Sequence, residues 1–66
     1  MTRIGNKIHE LRIAHAYTLT ELANLISTNA ETICRWEKGN AKPSLKMIRK
    51  LSAIFNYDVA KLTKLL

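Results

Sequence analysis

Apolar residues recur at spacings of three and four along almost the whole chain, and this period most constrains the fold. Ile4 and Ile8 are four apart, and Ile33 and Trp36 are three apart. Residues at these spacings share one face of an α-helix, so an all-α fold is predicted. The chain has no internal repeat, low-complexity tract or linker, and we expect a single domain over residues 1–66.

A chain of 66 residues with one cysteine has no internal disulfide and must rely on an apolar core, for which 47% hydrophobic residues is ample. His9 and His15 do not share a helix face, and no Cys/His cluster has zinc-ligand spacing, so no metal is expected. No apolar run reaches membrane-spanning length and no signal-peptide pattern is present. A cytoplasmic setting without membrane contact is therefore expected.

Capping signals divide the chain into five predicted helices. Thr18 with Glu21 forms a capping box, and Asn29, Ser44 and Asp58 are N-cap types. Gly39 and Asn56 suit helix ends. The helices are expected from residue 3 or 4 to 15, from 19 to a turn at 27–28, and over 30–38, 45–55 and 59–65. Expected inner-face residues are Ile4, Ile8, Leu11, Ile33, Trp36, Leu45, Ile48, Leu51, Ser52 and Phe55.

The positive charge is concentrated in one segment. The net charge is +6 and the sequence pI is about 9.9. Six cations and one acid, Glu37, lie between residues 35 and 50. This clustering favours a polyanionic partner over a merely soluble basic surface. The cations are Arg35, Lys38, Lys42, Lys46, Arg49 and Lys50.

Residues 20–44 combine two short helices, a tight turn and a loop punctuated by Gly39 and Pro43, and here the chain resembles the Cro/repressor-type helix-turn-helix family. That family includes phage repressors, restriction-modification controller proteins and small bacterial regulators. The resemblance covers roughly residues 4–62. It is carried by Arg12, Leu22-Ala23, Thr32-Ile33, Arg35-Trp36-Glu37, Gly39 and Pro43-Ser44.

The resemblance implies a compact five-helix lambda-repressor-like DNA-binding domain, with the helix-turn-helix at about residues 19–38. It implies a sequence-specific regulator of bacterial or phage origin that binds double-stranded DNA. Such a protein acts as a homodimer on a two-fold symmetric operator and represses transcription. It also implies a structural ion pair between Arg12 and Glu37, whose alternative is two unrelated solvated charges.

Helix 3 would then lie in the major groove with its solvent face on base edges. Arg35 suits guanine, Ala30 a thymine methyl, and Cys34 is a small groove-facing residue. Glu31 either reads cytosine or only interacts with the helix N-terminus. Expected phosphate contacts are Thr18, Thr20, Asn29, Lys38, Asn40, Lys42, Ser44 and Lys46. The expected dimer surface is Val59, Leu62, Leu65 and Leu66, with burial inside the monomer as the alternative.

Three residues depart from the family pattern. Leu19 stands where the family has a phosphate-anchoring glutamine, so one DNA contact should be missing. Ser27 and Ala16 stand where glycine is common. If the turn at Ser27 requires a positive φ, serine there costs roughly 1 kcal/mol.

Two alternatives to the regulator remain open. One is the DNA-binding antitoxin of a toxin–antitoxin pair, and the other is a protein-binding helix-turn-helix scaffold without DNA activity. No paired carboxylates, activated nucleophile or Gly-rich phosphate loop is present, so neither catalysis nor a cofactor is expected. No small-molecule ligand is evident.

Overall fold

The computed structural model describes residues 2–66 and consists of helices joined by short loops. The helices are α1 (Arg3–Ala14), α2 (Leu19–Leu25), α3 (Ala30–Lys38), α4 (Leu45–Phe55) and α5 (Val59–Thr63). The described range contains no strand, which confirms the predicted all-α, five-helix fold. His15 is the C-cap of α1 rather than its last residue, and α5 ends before the predicted Leu65. None of these helices has the length and apolar character required to cross a membrane.

Local capping chemistry fixes where the helices begin. Thr18, Asn29, Ser44 and Asp58 each accept a hydrogen bond from a backbone N–H in the first turn of the following helix, as predicted. Thr2 caps α1 in the same way by accepting from the Gly5 N–H. The helix ends are equally local: Gly39 ends α3 at φ 83° and Asn56 ends α4 at φ 50°, both in the left-handed region.

The core lies where α3 packs against α1 and α2, and it continues to α4 and α5, which pack on each other. Burial of these apolar side chains supplies the main driving force for folding. The buried hydrophobic residues are Ile4, Ile8, Leu22, Ala23, Ile26, Ile33, Trp36, Ile48, Leu51, Phe55 and Leu62.

Three predicted inner-face positions are less buried than expected. Leu45 is 54% exposed, because it is the first residue of α4 and side chains tilt toward the helix N-terminus. Its side chain therefore extends past the end of the helix and away from the core. Leu11 is only partly buried and packs at the edge of the core. Ser52 is half-buried, and its hydroxyl donates to the carbonyl of Tyr57.

Gly5 permits a close crossing of α1 over the end of α3. A Cβ atom at this position would lie 2.3 Å from the carbonyl oxygen of Trp36 and 3.1 Å from that of Glu37. Those distances are shorter than van der Waals contact allows, so only glycine fits without a shift of the backbone. Ala23, a small residue of the Leu22-Ala23 pair that carries the resemblance, is also buried, whereas Gly5 lies outside the residues that carry it.

Ala16 and Ser27 both adopt positive φ angles, of 58° and 61°. These are the two turn positions at which the sequence departs from the family's glycines. A side chain is disfavoured in this region of backbone space, so both turns carry local strain. The turn at Ser27 therefore does require a positive φ, and the cost expected for serine at this position applies.

Candidate nucleic-acid interface

Helix α3 has a buried face and an exposed face. Ile33 and Trp36 point into the core, while Glu31 and Arg35 are exposed. Ala30 and Cys34 are half-buried at the border between the two faces. The four residues predicted to read bases therefore share the side of α3 that faces away from the core.

The turn before α3 is held by bonds at both of its ends. The Thr28 N–H donates to the carbonyl of Ala23 at 2.9 Å, which closes α2. Asn29 Oδ1 accepts from both the backbone N–H and the hydroxyl of Thr32, each at 2.9 Å. The side-chain oxygen Oδ1 of Asn29 is thus engaged in capping, and the N–H groups of its side-chain amide are the ones suited to a phosphate.

The starts of α2 and α4 leave backbone donors free, except at Thr18. The Thr18 N–H donates to Glu21 Oε1 at 2.9 Å, so this N–H is not available to a phosphate. The N–H groups of Leu19 and Thr20, in the first turn of α2, have no partner within the helix. Ser44 Oγ accepts from the Met47 N–H at 3.2 Å, which leaves the N–H groups of the first two α4 residues.

Leu19 packs its side chain against the edge of the core and is half-buried. A glutamine at this position could offer an amide to DNA, but leucine offers only apolar surface. Leu19 therefore contributes packing where the family's glutamine would contribute a phosphate contact.

Four side chains predicted to contact phosphates, from the last residue of α3 to the first turn of α4, are all exposed. They are Lys38, Asn40, Lys42 and Lys46. The Lys42 ammonium donates to the carbonyl of Leu66 at 3.3 Å, an exposed bond. Lys50 differs from the rest of the cation cluster, because it is half-buried and its Nζ donates to the carbonyl of Ile26.

An ion pair ties α1 to the end of α3, between the two residues that the sequence paired. Arg12 Nε lies 2.7 Å from Glu37 Oε2, and Arg12 Nη2 lies 3.0 Å from Glu37 Oε1. Both side chains are nearly buried. Arg12 also donates to the carbonyl of Tyr17 at 3.0 Å, which fixes the loop before α2.

His9 is a third member of this pair that the sequence analysis missed. Its Nδ1 lies 2.9 Å from Glu37 Oε1. The signal was available, because His9 is three residues before Arg12 and so shares its helix face. Burial raises the pKa of the Glu37 carboxyl, but hydrogen bonds from Arg12 and His9 lower it by more, so its pKa lies below the usual range. The bond to Glu37 raises the pKa of Arg12 against the opposing effect of burial.

Only part of the predicted dimer surface is accessible. Val59 and Leu66 are 40% and 38% exposed, and Leu65 is half-buried. Leu62 is fully buried in the monomer core, so the stated alternative, burial inside the monomer, holds for this residue and it is removed from the proposed interface. Leu62 belongs to the core cluster, to which α5 contributes where it packs on α4. No group of three metal-binding side chains occurs in residues 2–66.

Comparison with known proteins agrees with this geometry. A family model described as helix-turn-helix matches residues 8–62. A protein of Pyrococcus abyssi named as an HTH-type transcriptional regulatory protein is 32% identical over 57 residues, which are 86% of this chain but 18% of the relative. The chain thus spans about a fifth of that relative's length. The transcriptional repressor RstR of the cryptic phage CTXphi, from Vibrio cholerae, is 32% identical over 58 residues, 88% of this chain and 52% of that protein.

A solved structure resembles the chain over nearly its whole length. The crystal structure of SinR, described as the master regulator for biofilm formation, in complex with DNA superposes with a TM-score of 0.82. It is 28% identical and covers 91% of this chain and 97% of the SinR chain. The family-model match over residues 8–62 includes all of α2, the turn and α3. The chain therefore belongs to the helix-turn-helix family.

Proposed function

We propose that this protein is a transcriptional regulator that binds double-stranded DNA in a sequence-specific way. The observation that carries the proposal is the exposed side of α3, flanked by exposed cations that continue into α4. Such a helix fits the major groove, where base edges differ between all four base pairs. The likeness to DNA-bound SinR supports the same placement.

Base recognition is assigned to the four residues on the exposed side of α3. Arg35 forms a bidentate pair with guanine O6 and N7, and Ala30 contacts a thymine methyl group. Glu31 is exposed in the first turn of α3, where it can accept from cytosine N4 or interact with the helix dipole. Cys34 contributes a small groove-facing surface.

Phosphates are assigned to the helix starts and to the cations around α3. Backbone N–H groups in the first turns of α2 and α4 suit a phosphate oxygen. The side chains of Thr18, Thr20, Asn29, Lys38, Asn40, Lys42, Ser44 and Lys46 add further contacts. These contacts position the domain and weaken as salt rises, but they carry no sequence information.

A homodimer on a two-fold symmetric operator completes the proposal. One small domain reads only a few base pairs, and a pair of domains reads two half-sites and so twice as many. Val59 and Leu66, with part of Leu65, supply an apolar surface for this contact. Occupancy of an operator in the bacterial cytoplasm would repress transcription, as the name of the relative RstR states for that protein.

Selection of bound fragments from a pool of random duplex DNA tests the proposal directly. A two-fold symmetric consensus is the expected result, and a failure to enrich any sequence would overturn it. The protein-only scaffold predicts no binding and no salt dependence, whereas the antitoxin alternative predicts binding together with co-purification of a second protein.

Two single substitutions separate base contacts from phosphate contacts. Arg35→Ala should lower operator affinity and remove about 1–3 kcal/mol of discrimination at one base position. Lys42→Ala should weaken binding about equally on every duplex and reduce the salt slope by about 0.9. Both effects are measured by titration of labelled duplexes at several salt concentrations. An unchanged base preference in Arg35→Ala would contradict its assignment.

A further inference from the structure

Lys50 is the one half-buried member of the cation cluster. Its Nζ donates to the carbonyl oxygen of Ile26 at 3.2 Å, and the side chain is half-buried. Its neighbours Lys46 and Arg49 on the same helix are exposed. Lys50 therefore has a defined partner within the fold, and that partner lies in the helix-turn-helix.

The carbonyl that accepts from Lys50 lies at the end of α2, immediately before the turn. Ile26 is the C-cap of α2, is fully buried, and immediately precedes Ser27 with its positive φ. Carbonyl groups at a helix end lack a partner within the helix, and a buried one without any partner is costly. A lysine ammonium satisfies this carbonyl and also complements the negative end of the α2 dipole.

This bond is the only hydrogen bond we find between α4 and the α2–turn–α3 unit within residues 2–66. The C-terminal end of α3 is held separately, through the pairing of Glu37 with Arg12 and His9 on α1. A charged side chain from another helix thus holds the turn before α3, and another pairs with the C-terminal end of α3. Lys50 acts on the turn that leads into the end of α3 nearest the base contacts.

We infer that Lys50 is a positioning residue for sequence reading, and not a phosphate contact. By holding the turn before α3 against α4, it sets the distance between the base-reading residues of α3 and the phosphate-binding start of α4. Base contacts tolerate little displacement, while long exposed lysines can follow a phosphate that moves. This inference rests on the proposed DNA-binding function.

A pair of substitutions on adjacent residues provides the test. Lys50→Met removes the donor while keeping a long apolar side chain, and Arg49→Met removes one exposed charge from the next position. Lys50→Met should lower affinity for the selected operator about tenfold, because the turn before α3 is no longer held and the base-reading residues lose their position. Its affinity for an unrelated duplex and its salt slope should change no more than those of Arg49→Met. Lys50→Arg, which keeps a charged donor, should restore most of the operator affinity.

Two outcomes for Lys50→Met would contradict the inference. If Lys50→Met weakens binding to both duplexes alike and reduces the salt slope by about 0.9 beyond the Arg49→Met control, Lys50 is an ordinary phosphate contact and the inference fails. It also fails if Lys50→Met leaves the ratio of operator to unrelated-duplex affinity unchanged.

A measurement on the unmodified protein covers the case in which Lys50→Met does not fold. Nuclear magnetic resonance should detect a scalar coupling across the hydrogen bond between Lys50 Nζ and the Ile26 carbonyl carbon, both in the free domain and with operator bound. Loss of the coupling on DNA binding would overturn the inference. If the unmodified protein shows the coupling but binds no duplex, the proposed function fails while the structural role of Lys50 stands.

Discussion

Glu37 links more of the fold than any other charged residue in the described part of the chain. It is the one buried charged residue there, and it accepts from Arg12 and His9 on α1. Since Arg12 also binds the carbonyl of Tyr17, one carboxylate indirectly connects α3, α1 and the loop before α2. A nearly buried ion pair of this kind is costly to break by removing one partner, because the other charge stays unpaired.

Replacing Glu37 by glutamine should therefore lower the free energy of unfolding by about 3 kcal/mol at neutral pH. The pKa of Glu37 is below its ordinary value of 4.5, so its contribution is complete above that pH and is lost as the pH falls through the folded-state pKa. Urea unfolding of both proteins across this range should show the wild-type advantage shrinking with acid.

The control for this prediction is Glu10→Gln, which removes an exposed carboxylate paired only with Lys7. Surface pairs contribute about 0–1 kcal/mol, so this variant should remain close to the wild type. If the wild type is more stable than Glu37→Gln by the same free energy at neutral and acidic pH, the Arg12 and His9 partners do not stabilise the ionised form of Glu37.

Gly5→Ala should destabilise the fold by about 1–3 kcal/mol, as expected for overpacking. Alanine is the better helix former by about 1 kcal/mol, so the intrinsic preference favours the variant and only the close approach to Trp36 opposes it. Thermal unfolding followed by circular dichroism measures the sign. Asn6→Ala, an exposed position in the same helix, is the matched control and should be neutral or slightly stabilising.

Residues whose role depends on a local spacing were accessible from the sequence, and those that depend on packing between distant segments were not. The pairing of Arg12 with Glu37 came through the family resemblance. Gly5 and Lys50 had no local signal, because each acts on a backbone carbonyl more than 20 residues away in the chain, those of Trp36 and Ile26.

Helix boundaries follow from capping chemistry, which is local, and so the predicted starts at Thr18, Asn29, Ser44 and Asp58 agree with the structure. Burial within an element is less local. Leu45 fits the apolar period of α4 but lies at its exposed first position, a result that depends on where the core ends. The period alone gives the face of a helix and not how far along the helix the core extends.

The two turns that flank α2 store strain in side-chain-bearing residues, and glycine should relieve it. Ser27→Gly removes the penalty at φ 61° but adds freedom to the unfolded chain, so a net gain of about 0.5–1 kcal/mol is expected. Ser27→Val should instead lower stability, because a β-branched residue is hindered at positive φ. Chemical unfolding of the three proteins gives the order directly. If valine matched glycine here, backbone strain at this turn would be refuted.

For the whole molecule, the cation cluster of residues 35–50 and the accessible apolar residues of α5 and beyond lie on different stretches of the chain, and Lys61 and Lys64 add exposed charge beside the apolar residues. Arg35 and Lys46 belong to the former, Val59 and Leu66 to the latter. The two sets approach each other at one point, where the Lys42 ammonium donates to the Leu66 carbonyl at 3.3 Å, so the proposed dimer contact would lie next to the proposed phosphate contacts. Charge clustering in the sequence indicated the cationic surface. The accessible apolar surface could be defined only from the structure, which shows that Leu62 is buried and Val59 is exposed.

The dimer contact is tested by placing a charge on the apolar surface. Val59→Asp should weaken self-association measured by analytical ultracentrifugation, because a charge buried in an apolar contact is costly. It should also lower affinity for a complete two-fold operator much more than for an isolated half-site, since the half-site engages one domain. Ile13→Asp is the matched control, with an exposed apolar residue on α1 outside the proposed interface. Equal losses on both DNA targets, or unchanged association, would mean that this protein does not pair through Val59.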